Sequence, residues 1–139
     1  MPVKSGLFKD CNVVNEDPGL YSINDDELII ETSCGSMWGM GNTCKNLFLF
    51  PAIMKDLSVD VVVTFLPENN REQAGLVLYR DSDNYVKSVR EMVNHQHVVV
   101  LAKEIHGNPE TIMMEGVSSA EVKLRIDVDH KGIGPILYS

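Results

Sequence analysis

Cysteine is scarce and poorly placed for metal or disulfide chemistry. The three thiols, Cys11, Cys34 and Cys44, form no CxxC pair. A zinc site wants paired ligands at short spacing, and an odd set of unpaired thiols fits a reducing compartment where cysteine acts as a small hydrophobe. Positive charge is also short. Twelve Lys and Arg stand against twenty Asp and Glu, a net charge of −8, whereas nucleic acid and anionic membrane both require a cationic surface. Long apolar runs are missing too: Val59 to Leu66 is broken by Asp60 and falls far below a membrane span. The opening residues, Met1-Pro2-Val3-Lys4-Ser5-Gly6, carry no apolar stretch of the secretory kind. These absences predict a cytoplasmic protein with neither nucleic acid nor membrane as partner. Aromatics are few, with Trp38 the single tryptophan. No window of eleven or more residues holds a 3.6 period, so helix is expected to be minimal.

What the chain does carry is strand periodicity. Leu20 to Ile23 and Glu27 to Thr32 flank the turn Asn24-Asp25-Asp26, an opening hairpin. A glycine-rich loop from Ser33 to Lys45 holds Trp38, and Asn46 to Phe50 is a short strand stopped by Pro51. Leu57 to Leu66 is rich in β-branched residues and ends in the turn Pro67-Glu68-Asn69-Asn70. Gln73 to Arg80 and Asn84 to Glu91 form the most informative hairpin, joined through Asp81-Ser82-Asp83-Asn84. His97 to Ile105 follows, ended by Gly107-Asn108-Pro109, and then Thr111 to Glu115. Val122 to Val128 alternates apolar and charged, and Ile136-Leu137-Tyr138 starts a further strand. Nine or ten short strands imply an all-β antiparallel sandwich or barrel, one domain over residues 1–139. Leu28, Ile30, Val61, Val63, Leu76, Leu78, Leu124 and Ile126 lie in phase with the apolar faces and are the expected core.

Catalytic chemistry is hard to find. A glycosidase needs two carboxylates across a groove, one with a raised pKa. Glu31, Glu72, Glu91 and Asp127 sit on expected strands, where solvated faces carry such residues routinely. His95-Gln96-His97 would place two imidazoles on one strand face, yet nothing brings His106 or His130 to them as a third ligand. Asp81-Ser82-Asp83-Asn84 offers oxygens, but a tight turn demands the same residues. Gly39-Met40-Gly41-Asn42 lacks the third glycine and the helix of a dinucleotide loop, and no GxSxG elbow is present. No catalytic residue, metal or cofactor is expected. A sugar site remains: Gln73, Tyr79, Lys87, Glu91 and His97 run in phase along neighbouring strands and are expected to share one polar face. Trp38 is the aromatic that would border it. A lone tryptophan is usually buried, so the first expectation for Trp38 is a plug at one end of the sandwich.

Several of these segments carry a family likeness. Asp26-Glu27-Leu28-Ile29-Ile30, followed by Cys34-Gly35-Ser36-Met37-Trp38, resembles the opening strand and Gly/Trp loop of concanavalin A-like domains. Gln73 to Tyr79 with Asp81 to Lys87 resembles their central hairpin, and Val98 to Ala102 and Val122 to Ile126 are similar to the strands that follow. The likeness runs from about Phe8 to Ser139 and points to two neighbouring groups. One is the C-terminal domain of family 43 β-xylosidases and arabinofuranosidases. The other is the stand-alone DUF1349 group, which includes proteins described as regulators of enolase. It implies an antiparallel two-sheet jelly-roll sandwich serving as a non-catalytic binding module, with a carbohydrate on the concave sheet. It also implies two alternatives, an accessory domain of a family 43-type glycoside hydrolase or a stand-alone protein-interaction and regulatory protein. The Glu-x-Asp-x-x-Glu strand of the bacterial laminarinase relatives has no counterpart here, which disfavours lichenase-like hydrolysis. In these families the pattern continues past a Tyr-Ser strand, whereas this sequence stops at Tyr138-Ser139. Two expectations follow: the sequence is a fragment of a longer protein, or its closing strands are lacking, which would leave a sheet edge through which a homodimer would form. An oligosaccharide or a protein is the expected partner.

Overall fold

The computed structural model describes residues 4–39, 42–51, 56–129, 132–133 and 137–138. About 57% of the protein is strand and 5% helix, all of the pairing antiparallel. The all-β expectation holds. Two compact units divide the chain, Met1–Ala52 and Ile53–Ser139.

In the first unit β1 (Asn12–Val14) pairs with β4 (Leu47–Leu49), and β2 (Tyr21–Asn24) forms a hairpin with β3 (Glu27–Ile30). Asp25 takes the left-handed conformation at that turn, φ 53°, which a short polar side chain tolerates. The core of this unit is aromatic. Phe8 and Tyr21 are buried and each meets Phe48 edge-on, at 6.0 and 4.9 Å between ring centres. Ile30, expected in the core, is 41% exposed. Its strand is four residues long, and burial opposite it falls on the larger Tyr21 ring, with which it is paired.

The second unit contains two sheets. In one, β5 (Leu57–Thr64) pairs along the whole of β10 (Glu121–Asp129), from Thr64↔Glu121 to Leu57↔Val128. β11 (Gly132–Ile133) and β12 (Leu137–Tyr138) pair with β10 as well. Ile136 and Ser139, which bore on the closing-strand expectation, lie outside the described residues. The other sheet is a meander of β6 (Gln73–Asp81), β7 (Asn84–Val93), β8 (Gln96–Ile105) and β9 (Asn108–Gly116). Alternation decides what is buried. Val122, Leu124, Ile126 and Val128 are buried while Lys123 and Arg125 face out. Val63, Val122, Leu124 and Val99 form one core cluster, onto which Val61, Ala74 and Leu76 pack, so the two sheets lie face to face. Gly75 is required where β6 meets β7: an added Cβ would lie 2.2 Å from the Ser88 carbonyl oxygen.

Turn chemistry sets the register of the meander. Asn94 and His95 (φ 49° and 61°) and His106 and Gly107 (φ 51° and 75°) both supply two consecutive left-handed residues, the type I′ requirement of a two-residue hairpin. Pro109 does not end a segment as expected. It lies inside β9, an edge strand, where a missing N–H is harmless. No helix among the described residues is long and apolar enough to cross a membrane.

Candidate functional site

The β6–β7 pairing brings most of the expected site together. Gln73 stands opposite Glu91, Val77 opposite Lys87, and Tyr79 opposite Tyr85. With a period of two, Gln73, Tyr79, Lys87 and Glu91 therefore share one face. Lys87 donates from Nζ to Gln73 Oε1 at 2.6 Å, and its residue is 5% exposed. Burial pushes the Glu91 carboxyl above the usual carboxylate range, and the attraction of Lys87 and Arg71 only partly offsets that. At the far end of the same face the Tyr85 hydroxyl donates to Glu104 Oε2 at 2.7 Å, and both residues are buried. Between these polar ends lies an apolar floor of Val89, Val98, Val100 and Ala102, all buried. The face is thus a mixture, with exposed Gln73 and half-buried Glu91 along its β6–β7 margin.

His97 does not join them. It pairs with Met92, one residue out of phase with Glu91, and so points to the opposite face. The Asn94–His95 turn starts β8 at Gln96, one residue before the position at which the strand is expected. His97 Nε2 instead lies 2.8 Å from the Pro67 carbonyl oxygen. The same turn separates the two imidazoles of His95-Gln96-His97, since His95 is a turn residue and not a strand residue. No metal-holding cluster occurs among the described residues, and His130 lies outside them, as do Met40 and Gly41 of the glycine-rich stretch.

Trp38 belongs to the first unit, and it is not a plug: it is 40% exposed. Its loop is ordered by local hydrogen bonds. The Trp38 amide donates to Ser36 Oγ (3.0 Å), the Ser36 amide to Thr43 Oγ1 (3.0 Å) and the Thr43 amide to the Ser36 carbonyl (2.9 Å). Asn15, held at φ 53°, donates from Nδ2 to the carbonyls of Asn42 and Cys44 and ties down the loop's far end.

Of the other acidic candidates, Glu72 accepts from the amides of Glu68 and Asn69 and from Asn69 Nδ2, contacts that hold its pKa down. Asp81 Oδ1 accepts from the Asp83 amide and Asn84 Nδ2, each at 2.9 Å, which is turn-making work. Asp127 is engaged by Ser58 and Arg125 on the outer face of β10. An open depression of about 490 Å3 lies at the hairpin tips, lined by Leu78, Val86, Ile105, Arg80 and His106 among others. Sequence reasoning missed the Tyr85–Glu104 pair. The available signal was a glutamate continuing the phase of Val98, Val100 and Ala102 along β8.

No curated protein and no solved structure matches this chain. The family model of the beta-xylosidase C-terminal concanavalin A-like domain does match, over residues 35–134, from the Gly/Trp loop past the end of β10. That span takes in the meander, its β5–β10 partner sheet and most of the sequence, and the antiparallel all-β architecture agrees with it. The chain belongs to the family of concanavalin A-like C-terminal domains of beta-xylosidases, the sandwich domain associated with family 43 glycoside hydrolases.

Proposed function

We propose that this domain is a non-catalytic carbohydrate-binding module serving a family 43-type glycoside hydrolase, and that it holds an oligosaccharide along the β6–β7 margin. The observation that carries the reading is the Gln73–Lys87–Glu91 group. It sets a neutral amide, an ammonium and a carboxyl of raised pKa side by side on one face, beside an apolar floor. Such a strip presents donors and acceptors to vicinal hydroxyls, while the apolar floor suits the flat side of a sugar ring. Tyr79 extends the same face by two register positions beyond Val77. Exposed Trp38, in the first unit, offers a separate stacking surface.

Calorimetric titration with xylo- and arabino-oligosaccharides tests the reading. Gln73→Ala should weaken binding by about tenfold, the scale of one lost hydrogen bond to a charged group. Binding that is indifferent to Gln73→Ala, or absent at millimolar sugar, would discard it. A change in Trp38 fluorescence on titration reports whether the first unit also takes part.

A second reading rests on β9, which pairs on one side only among the described residues and exposes Ile112 and Met114 (50% and 46%). A protein partner, a second copy included, adds to such an edge through main-chain hydrogen bonds. Concentration-dependent light scattering that Ile112→Lys abolishes would favour it over the sugar.

A further inference from the structure

Arg90 lies on β7 between Ala74 of β6 and Val99 of β8, on the face turned toward β5 and β10. It is 0% exposed. Its Nε, Nη1 and Nη2 atoms are all buried, and none has a hydrogen-bond partner among the described residues. Burial alone moves its pKa, downward, with no opposing carboxylate contribution. A lysine so placed would shed its proton. Arginine cannot, because its guanidinium stays charged at any pH a protein survives. A desolvated charge with no counter-charge is among the most costly arrangements in a fold, so a group that pairs with it has much to gain.

Burial is the one cause that moves the Arg90 pKa, and several acids of this unit are placed elsewhere. Glu91 and Glu104 lie on the opposite face of the same sheet. Asp60 and Asp127 lie on the outer face of the β5–β10 sheet, with Lys123 and Arg125 for partners. Glu72 is occupied by the turn at Asn69. Glu115 shares the row Ala74–Arg90–Val99–Glu115, but Val99 stands between them, Glu115 is exposed, and the two form no ion pair. Ser88, 1% exposed, brings a hydroxyl to the same face one pleat from Arg90.

We propose that Arg90 is the receptor of a compact monovalent anion, chloride or formate in size and charge, held between the two sheets of the second unit with Ser88 as a further donor. Packing sets the size limit. Val99 and Leu124, on the face that Arg90 shares, are wholly buried, so only a compact anion suits the space between the sheets. The site is on the face opposite Lys87 and Glu91, so it stands or falls apart from the sugar-binding reading.

Thermal unfolding of the full chain in sodium chloride, against sodium gluconate of equal ionic strength, tests this. The expected result is a saturable rise of several degrees in chloride, since a ligand bound only by the folded state stabilises in proportion to its occupancy. Formate should substitute for chloride. Arg90→Met should abolish the chloride dependence and unfold in gluconate no earlier than the wild type, because an apolar side chain of similar length removes the unmatched charge. Broadening of the chloride NMR signal by wild-type protein, reversed by formate, gives a second readout if Arg90→Met does not fold. Identical wild-type melting in the two salts with no chloride broadening, or a chloride effect that survives Arg90→Met, overturns the proposal. A loss of stability in Glu115→Gln without any anion effect in the wild type would overturn it too, by assigning the counter-charge to Glu115.

Discussion

Glu91 is held in its unusual state by two opposing effects, loss of water around the carboxyl and attraction to Lys87 and Arg71, and desolvation prevails. An acid whose folded pKa is raised binds more protons folded than unfolded. Stability then falls as pH climbs from the ordinary glutamate value, about 4.3, through the higher folded one. Glu91→Gln removes that loss. The variant should be more stable than wild type in urea at pH 7, and the two should converge below about pH 4. A wild type that is the more stable at pH 7 would mean the pull of Lys87 outweighs desolvation. In the core, Leu124 is wholly buried against Val63, Val99 and Val122, so Leu124→Ala should cost about 2–5 kcal/mol in urea unfolding. Core membership was legible in the sequence for Leu124 and Ile126, because strict alternation with charged neighbours leaves one face available for burial. It failed for Ile30, where a four-residue strand leaves both Ile29 and Ile30 exposed and no long alternation exists to read.

At the scale of elements, legibility followed turn chemistry. The β6–β7 hairpin was readable because Asp81-Ser82-Asp83-Asn84 is a turn sequence and both arms are nine or ten residues long. The β7–β8 hairpin was harder, since Asn94-His95 has only one favoured left-handed residue and no glycine. Displacing the start of β8 by one residue moves His97 to the other face, and with it one of the six residues expected to bind sugar. β1 escaped notice because a strand of three residues carries no period. Gly75 illustrates a constraint that only the paired structure reveals. Its Cα faces the Ser88 carbonyl oxygen and Val89 Cα, both backbone atoms, so an added methyl group cannot be relieved by a rotamer change. Gly75→Ala should cost about 1–3 kcal/mol, the range for forcing a methyl into filled space. A urea midpoint unchanged from wild type would show that the β6–β7 pair opens there at no cost.

For the molecule as a whole, the question is whether any chemistry resides in the domain itself. Glycoside hydrolysis needs two carboxyl groups about 5–9.5 Å apart, one of them with a raised pKa. Glu91 meets the second condition. Its direct cross-strand neighbours are Gln73 and Val98, neither of them an acid. Glu104, the other glutamate on that face, lies six residues along β8 from Val98. At about 3.3 Å per residue that is roughly 20 Å, twice the widest catalytic separation. Glu104 is moreover buried and engaged by the Tyr85 hydroxyl, so it does not face a substrate groove. The isolated domain should therefore show no turnover of aryl xylosides or arabinosides above background. Glu91→Gln should leave that background unchanged while altering oligosaccharide affinity. Release of the aryl group that Glu91→Gln abolishes would contradict this, and would require a second carboxylate to approach Glu91 from outside the β6–β9 sheet.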